Sequence, residues 1–332
     1  MLTQTWSPMN RRVNRMGLGC MSFAGAYGPA DKGESLATMA EALDLGVTFW
    51  DTANIYGEGA SESLIGDFLA QDKSRRAKIV LGTKFAIKVT PGGGRAVDNS
   101  EPHLIESIEG SLKRLGVEHV DLYTLHRVDR AIPIEDTVGA MAKLVKAGKV
   151  GDIGLSEIAP DTLRRAAAVH PIAAVQSEYS LWSRTPELGL LQACRELGAR
   201  FVAFSSVGRG AFGGRLRDVS QIPAGDFRLG MPRFEPANWA RNLARIDAFV
   251  ALAKDWGVAP ATLANAWALA KDGNILAIPG TRSIAHLREN AAAGAFALDA
   301  TRVAEVEAVF PAGSAAGDRY GVQQWGWAER FA

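Results

Sequence analysis

The chain has 332 residues, of which 47% are hydrophobic, so it is long enough to bury a sizeable core as one large α/β domain or two ordinary ones. Its 37 Lys and Arg residues nearly balance its 36 Asp and Glu residues, which leaves no net field to attract nucleic acid or an anionic membrane. Residues 1 to 17 hold no apolar run of the length that a signal peptide needs, and no later segment has about 18 consecutive apolar residues. We therefore expect a cytoplasmic protein that binds neither nucleic acid nor membrane.

Short apolar runs recur along the chain, and each is followed by a polar loop and a segment with helical periodicity. The eight runs begin at Met16, Val47, Lys78, Val120, Gly151, Ile172, Arg200 and Asn274. Between them, segments 34 to 46, 101 to 116 and 134 to 149 carry apolar residues at three- and four-residue intervals, with Gly near their ends, as amphipathic helices do. This alternation predicts parallel strands joined by right-handed helical crossovers. Eight such units without a linker predict an α/β protein with a single (β/α)8 TIM barrel domain over residues 1 to 332.

Two loops interrupt this rhythm. Residues 208 to 239, after the seventh strand, form a long segment without a strand or helix pattern, which is typical of a lid or binding loop, and two extra helices follow it. Residues 91 to 100 are Gly-rich, and we expect them to be a flexible surface loop. Neither this Gly-rich loop nor GEGASES (57 to 63) has the strand–GxGxxG–helix spacing of a Rossmann dinucleotide motif, and the sequence has no P-loop. The two cysteines, Cys20 and Cys194, are too few for a disulfide framework or a zinc site, and we expect buried thiols.

Polar residues end the apolar runs, where the active sites of TIM barrels lie. The second strand ends in Asp51, with Tyr56 just beyond it, the third strand carries Lys84, and the fourth ends in His126. The fifth and sixth strands contribute Ser156, Glu157, Gln176 and Glu178. Barrel geometry directs these side chains toward one mouth, so we expect a common site.

Four of these side chains suit the delivery of a proton to a carbonyl oxygen. A tyrosine has a pKa of about 10 and gives up its proton reluctantly at neutral pH, but a nearby ammonium lowers that value. We expect Lys84 to supply that charge, Asp51 to hold Lys84, and Tyr56 to act as general acid. His126 can donate a hydrogen bond to the same oxygen. The chemistry that this arrangement suits is protonation of an oxygen whose carbon receives a hydride.

These residues lie in three motifs that resemble the aldo-keto reductase superfamily. DTANIYGEGASESLIG after the second strand, LGTKF in the third and LYTLH in the fourth fill all four positions of that superfamily's catalytic tetrad, with Asp51, Tyr56, Lys84 and His126. The resemblance extends over essentially the whole chain. It implies a barrel that binds a nicotinamide dinucleotide, usually NADPH, without a Rossmann domain, and that reduces an aldehyde or ketone reversibly.

The resemblance also implies the cofactor contacts. Ser156 and Gln176 would bond the nicotinamide carboxamide, and Phe204 would stack on the ring. The small residues implied beside the pyrophosphate, where free backbone amides are useful, are Ser205, Ser206, Gly208 and Gly210. The clamp on the adenosine phosphate would comprise Gly280, Thr281 and Arg282 near the 2′-phosphate, with His286, Glu289 and Asn290 near adenine. Since a guanidinium bonds phosphate through two parallel N–H groups, Arg282 predicts that NADPH is preferred over NADH.

The chain departs from the common family pattern at two positions. Glu157 stands where many members have Asn, and Gly280 stands where many have Lys, which transfers phosphate binding to Arg282. The stretches DFRLGMPRF and GDRYG resemble the bacterial and plant branch that includes pyridoxal-reductase-like and perakine-reductase-like enzymes.

Aromatic and apolar loop residues predict the substrate pocket. The expected wall residues are Phe23, Tyr27, Arg127 and Trp182, with Phe212, Phe227 and Phe234 from the long loop. Such a wall favours a carbonyl group on a ring or another hydrophobic body.

Three other functions compete with carbonyl reduction. One is an NADPH-binding, redox-sensing subunit that resembles potassium-channel β subunits and acts mainly through a protein partner. Another is a glycosidase, for which Asp51, Glu157 and Glu178 are candidate carboxylates, although Lys84 and His126 have no natural role there. The last is a metal-dependent hydrolase, which five His residues without an HxH or HExxH pair do not favour, so we expect no metal.

Overall fold

The computed structural model describes residues 3–6 and 11–332. In this part of the chain the strands are β1 (Thr3–Trp6), β2 (Arg11–Asn14), β3 (Leu18–Gly19), β4 (Phe49–Asp51), β5 (Val80–Phe85), β6 (Ile87–Val89), β7 (Arg95–Val97), β8 (Val120–Leu125), β9 (Val150–Ser156), β10 (Ala174–Glu178), β11 (Arg200–Phe204) and β12 (Ile275–Ala277). The α-helices are α1 (Lys32–Asp44), α2 (Ala60–Gln71), α3 (Ser74–Lys78), α4 (Glu101–Leu115), α5 (Ile134–Lys146), α6 (Pro160–Val169), α7 (Leu190–Leu197), α8 (Pro236–Asp255), α9 (Pro260–Lys271), α10 (Ile284–Ala292), α11 (Ala300–Val309) and α12 (Val322–Trp325). Short 3-10 helices cover Cys20–Ala24, Thr185–Leu188, Gly208–Gly213, Val219–Gln221, Phe227–Gly230, Pro232–Phe234 and Ala293–Ala295.

Eight parallel strands form the central sheet, in the spatial order β3, β4, β5, β8, β9, β10, β11, β12. The last strand returns to the first: Gly17 N donates to the Ala277 carbonyl at 2.8 Å, and Ala277 N donates to the Arg15 carbonyl at 2.9 Å. The sheet is therefore closed, and the predicted (β/α)8 barrel is confirmed. Each of the eight barrel strands coincides, to within one residue at either end, with part of an apolar run that the sequence singled out.

A hairpin of β1 and β2 covers the amino-terminal end of the barrel. The Trp6 ring lies 5.0 Å from that of Phe49, between centroids, and its Nε1 donates to the Ala173 carbonyl at 3.2 Å. Trp6 and Phe49 pack in one buried cluster with Val80, Leu122 and Val202 from three further barrel strands. This end is filled by side chains, so a ligand site has to lie at the opposite end. The periodicity of the sequence did not predict the hairpin.

The three helices predicted from periodicity are confirmed as α1, α4 and α5. Helix α4 shows the local reasons: the Ser100 hydroxyl accepts from His103 N at its start, and Gly116 ends it with a φ of +66°. Its Leu104, Ile108 and Leu112 side chains are spaced by four and face the barrel. The buried apolar face of this helix thus forms part of the core between the helices and the barrel strands.

Both interrupting loops contain more structure than the sequence predicted. The segment from 208 to 239 contains four short 3-10 helices and the start of α8, because Asp218 and Asp226 accept backbone hydrogen bonds that initiate two of these turns. The Gly-rich segment belongs to a hairpin in which Ile87 pairs with Val97 and Val89 with Arg95. The expected extra helices, α8 and α9, follow the long loop. Cys20 and Cys194 are free and buried, and no helix in the described ranges combines the length and apolarity that crossing a membrane requires.

Candidate active site

A cavity of about 1230 Å³ lies at the carboxyl ends of the barrel strands. Asp51, Gln176 and Phe204, which end or nearly end β4, β10 and β11, line its floor. One end is walled by residues around Tyr56 and His126, and the other by residues around Arg282 and His286. The cavity thus brings together most of the residues that the strand ends predicted.

Lys84 lies beneath this floor and connects the residues at the Tyr56 end of the cavity. Its ammonium is completely buried, forms an ion pair with the Asp51 carboxylate, and donates to the Thr52 carbonyl at 2.8 Å and to the Tyr56 hydroxyl at 3.2 Å. Burial lowers the pKa of Lys84, but the negative charge of Asp51 and the proximity of Tyr56 raise it more, so its pKa lies above the ordinary value. Lys84 is therefore a fixed positive charge against the Tyr56 oxygen.

The pKa of Tyr56 differs from the expected direction. Burial raises it, the nearby Lys84 ammonium lowers it only in part, and the Asp51 carboxylate raises it again. The result is a pKa above the ordinary value, because burial of the hydroxyl, helped by the Asp51 charge, outweighs the effect of the Lys84 ammonium. At neutral pH Tyr56 carries its proton, which is the state that a general acid requires.

His126 faces Tyr56 across the cavity, with the two rings nearly perpendicular and their centroids 5.7 Å apart. Burial lowers the pKa of His126 well below its ordinary value, and the positive charges of Arg127, Lys84 and Arg95 lower it further. The imidazole is therefore neutral at physiological pH and can donate one N–H. Its Nδ1 is buried and finds no hydrogen-bond partner among the described residues.

The two residues expected at the carboxamide differ in their placement. Gln176 lines the cavity, and its Nε2 donates to Asp51 Oδ1 at 2.9 Å, so it also holds the Asp51 carboxylate. Ser156 is fully buried behind the wall, and its hydroxyl lies 3.3 Å from an Arg127 nitrogen. Arg127 itself lines the cavity and also donates to the His126 carbonyl and to the Tyr320 hydroxyl.

Beyond β11 the chain turns sharply along the cavity. Phe204 is half-buried with its ring in the cavity wall, and Ser205 follows with a φ of +56°. The Ser206 hydroxyl donates to Asn265, which donates to Asn290, so one buried chain of hydrogen bonds ties this turn to α9 and α10. Of the residues expected along the pyrophosphate, Ser205, Ser206 and Gly210 line the cavity, and Gly208 is buried behind them.

All six residues expected at the adenosine end line the cavity: Gly280, Thr281, Arg282, His286, Glu289 and Asn290. Gly280 has no room for a side chain, because an added Cβ would lie 2.8 Å from the Gly19 carbonyl oxygen. The Arg282 guanidinium donates to the Tyr27 carbonyl at 3.2 Å and has no ion pair within the described ranges. Ser283 caps the start of α10 through its hydroxyl, so the helix directs its N-terminus into this end.

Two carboxylates at strand ends belong to a different arrangement. The Glu178 carboxylate forms ion pairs with Arg209 at 2.7 Å and Arg233 at 3.1 Å, and it accepts a hydrogen bond from the Ser183 hydroxyl at 2.6 Å. Glu157 pairs with Arg319 at 2.8 Å and also accepts from the Glu178 backbone N–H at 2.9 Å. We call these five charged residues the closed cluster, since neither carboxylate lines the cavity. The geometry gives no support to a glycosidase pair, and no group of acids, His or Cys among the described residues could hold a metal.

Several wall residues escaped sequence reasoning, whereas some expected ones lie elsewhere. The cavity is also lined by Arg95, Arg215, Tyr320, Gln324 and Trp327. Tyr27, Arg127 and Phe227 line it as expected, whereas Phe23 is buried outside it, and Trp182, Phe212 and Phe234 are buried behind it in aromatic packing. The GDRYG motif could have directed attention to Tyr320. No local pattern marks Arg95, because its position depends on the unpredicted hairpin.

Comparison with known proteins decides the family. Residues 15–310 match the model of the Aldo/keto reductase family. The chain belongs to this family of oxidoreductases. It is 41% identical over 318 residues to the probable aldo-keto reductase 1 of Glycine max, a match that covers 95% of this chain and 91% of that protein. It is 40% identical over 315 residues to an aldo-keto reductase of Schizosaccharomyces pombe named yakc and labelled with NADP(+), covering 94% and 92%.

A solved structure shows the same architecture. The glycerol dehydrogenase AKR11B4 from Gluconobacter oxydans superposes with a TM-score of 0.83 at 26% identity, over 92% of this chain and 94% of that one. The resemblance inferred from DTANIYGEGASESLIG, LGTKF and LYTLH is thereby confirmed at the level of the family.

Proposed function

We propose that this aldo-keto reductase reduces an aldehyde or ketone to an alcohol, reversibly, with NADPH as hydride donor. The observation that carries the proposal is the placement of the Tyr56 hydroxyl, which faces the cavity, 3.2 Å from a buried ammonium and beside a neutral imidazole. The Schizosaccharomyces pombe relative labelled with NADP(+) supports the choice of cofactor.

In this proposal, the chain's residues provide the proton and the electrostatic setting. Tyr56 gives its proton to the substrate oxygen, and the Lys84 ammonium stabilises the negative charge left on the phenolate. Asp51, held by Gln176, keeps Lys84 in position. The neutral His126 donates a hydrogen bond to the same oxygen and orients the carbonyl. A bound nicotinamide would supply the hydride to the carbonyl carbon.

The cavity suits such a dinucleotide along its full length. Phe204 presents a half-buried ring beside the catalytic end, and the turn after it is built of small residues. The Ser22 hydroxyl, which also lines the cavity, is buried and finds no protein partner within the described ranges. Arg282 adds an open positive charge at the N-terminus of α10, where an anionic phosphate is favoured. These residues fit a phosphate-bearing dinucleotide, and Arg282 supports the preference for NADPH.

Two parts of the proposal go beyond membership of the family: the branch to which the chain belongs and the class of its substrate. We place the chain in the branch with pyridoxal-reductase-like and perakine-reductase-like enzymes on its DFRLGMPRF and GDRYG stretches. We also propose a small carbonyl substrate with an aromatic or hydrophobic body, since Tyr27, Phe227 and Trp327 line the cavity. The role of a redox-sensing subunit is not favoured, because all four tetrad side chains are present and assembled.

The test is the oxidation of NADPH by purified protein against a panel of aromatic, aliphatic and sugar carbonyl compounds. Tyr56→Phe should lower the turnover rate by at least about 10²-fold, since general acid catalysis is lost, while NADPH still binds. Tyr123→Phe is the matched control: Tyr123 is buried outside the cavity, and we expect that variant to keep its turnover. Equal activity of Tyr56→Phe and wild type would refute the mechanism, and cofactor binding without turnover by wild type would favour the sensing subunit.

A further inference from the structure

We infer that Arg95, together with Arg127, binds an anionic group on the substrate, so that the preferred substrate is an aromatic or apolar carbonyl compound carrying a carboxylate. This inference rests on the proposed reduction and adds the substrate class to it. It starts from a feature that the family match does not explain, a pair of guanidinium groups at the catalytic end of the cavity.

The hairpin of β6 and β7 brings Arg95 to this end. Ile87 pairs with Val97, and Arg95 is two residues from Val97, so by strand alternation Arg95 and Ile87 project from the same face of the hairpin. Ile87 packs in a small cluster with Ile55, against which Tyr56 also packs. Arg95 is near enough to His126 for its charge to lower the pKa of the imidazole. Arg95 therefore lines the cavity at the same end as Tyr56 and His126.

The two positive charges are not neutralised by the protein. Within the described ranges, the Arg95 guanidinium has neither a hydrogen bond nor an ion pair, and Arg127 bonds only to the His126 carbonyl and to two hydroxyls. The acidic side chains that line the cavity are Glu34, Asp51 and Glu289. Asp51 already forms an ion pair with Lys84. Glu34 in α1 and Glu289 in α10 lie near Arg282, at the other end of the cavity. The catalytic end thus has excess positive charge that a ligand can satisfy.

The surrounding wall limits what kind of anion fits. Ile55 and Ile87 lie on one side, and the carboxyl-terminal segment contributes Tyr320 and Trp327. Apolar and aromatic side chains around two guanidinium groups suit a flat hydrophobic body that ends in a carboxylate, which an Arg can bind through two parallel hydrogen bonds.

The experiment compares para-formylbenzoate with its neutral methyl ester at saturating NADPH. Wild type should show a kcat/KM at least about fivefold higher for the carboxylate, mainly through a lower KM, as expected for a charge-assisted hydrogen bond at a partly exposed site. In Arg95→Gln the ratio should fall toward one, and in Arg95→Lys it should be partly kept. Lys88→Gln is the matched control, because Lys88 lies on the same hairpin, pairs with Asp98 and does not line the cavity.

Two further results sharpen the test. Benzoate titrated by calorimetry into protein loaded with NADP(+) should bind more weakly to Arg95→Gln than to wild type, and benzamide should not distinguish them. Added salt should lower the wild-type ratio of kcat/KM for the carboxylate to kcat/KM for the methyl ester, because the interaction between exposed charges is screened over about 10 Å at 0.1 M salt.

The outcomes separate this inference from the proposed function. A wild-type ratio near one, or a ratio unchanged in Arg95→Gln, overturns the inference even when the methyl ester is reduced in a Tyr56-dependent manner. Absence of Tyr56-dependent reduction of either compound, together with all other carbonyl compounds of the panel, overturns the proposed function instead.

Discussion

Two groups of buried charges stand at the mouth of the same barrel and differ in one respect. In the first group, Lys84 bonds to both Asp51 and Tyr56, and Tyr56 lines the cavity. In the closed cluster of Glu157, Glu178, Arg209, Arg233 and Arg319, the carboxylates are matched by guanidinium groups of the protein itself. Both groups use acids at strand ends, so position in the fold alone does not separate a reactive site from a structural one.

Glu178 and Tyr56 differ in how many partners their polar atoms have within the chain and in whether they face the cavity. Glu178 is surrounded by two guanidinium groups and a hydroxyl, and it has no need of a ligand. Tyr56 has one protein partner and a face open to the cavity. A buried charge that is fully paired stabilises one conformation, whereas a partly paired polar group at a cavity is available to a substrate. The predictions below use that distinction.

The largest effect is expected from breaking the closed cluster. Glu178→Gln leaves Arg209 and Arg233 without their carboxylate, and the free energy of unfolding should fall by about 3 to 5 kcal/mol, as for a buried pair that loses one partner. Urea unfolding, monitored by circular dichroism, measures this change in the free energy of unfolding. Glu109→Gln is the control: Glu109 pairs with Lys149 at the surface, and its loss should cost less than about 1 kcal/mol.

The effect of Glu178→Gln should also depend on pH. Burial raises the pKa of Glu178, but Arg209, Arg233 and Arg319 outweigh burial and lower it below the ordinary value. The stabilisation is therefore fully present above the unfolded pKa of about 4.3 and is lost as the pH falls through the lower folded pKa. A stability difference between variant and wild type that stayed constant into that acid range would contradict this account.

A smaller effect is expected at the adenosine end, where Arg282 is an open charge. Arg282→Ala should weaken the binding of NADPH by about tenfold to a hundredfold, as expected when a charged hydrogen bond is lost. The binding of NADH should weaken far less. Fluorescence titration of both cofactors measures it. Arg288→Ala is a matched control on the helix that follows Arg282, since Arg288 is exposed and pairs with Glu41. Equal losses for NADPH and NADH in Arg282→Ala would remove the basis for the cofactor preference.

The smallest expected change is the pH dependence of the reduction itself. The pKa of Tyr56 lies above its ordinary value and that of His126 lies well below its ordinary value, so Tyr56 stays protonated and His126 stays neutral between those two ordinary values. The kcat/KM for a neutral aldehyde should therefore be nearly constant from about pH 7 to about pH 10. A pH profile that falls already between pH 7 and 9 would show that the Tyr56 proton is held less firmly than its burial indicates.

The barrel and the gathering of the four proposed catalytic residues at one mouth could be predicted from the sequence alone. Apolar runs alternating with amphipathic segments require parallel strands with helical crossovers, and in a barrel that topology sends every strand end to one mouth. Asp51, Lys84 and His126 could be placed together for that reason, and Tyr56 followed from its distance beyond the second strand.

Only the tertiary structure decided which charges are open and which are closed. The pairing of Glu178 with Arg233, the position of Arg95 beside His126 and the raised pKa of Tyr56 arise from contacts between residues distant along the chain. Local periodicity carries no information about such contacts, because loops and hairpins are positioned by packing against the barrel rather than by their own pattern. The sequence therefore predicted where chemistry would occur, and the folded chain set the electrostatics that decide what the site can bind.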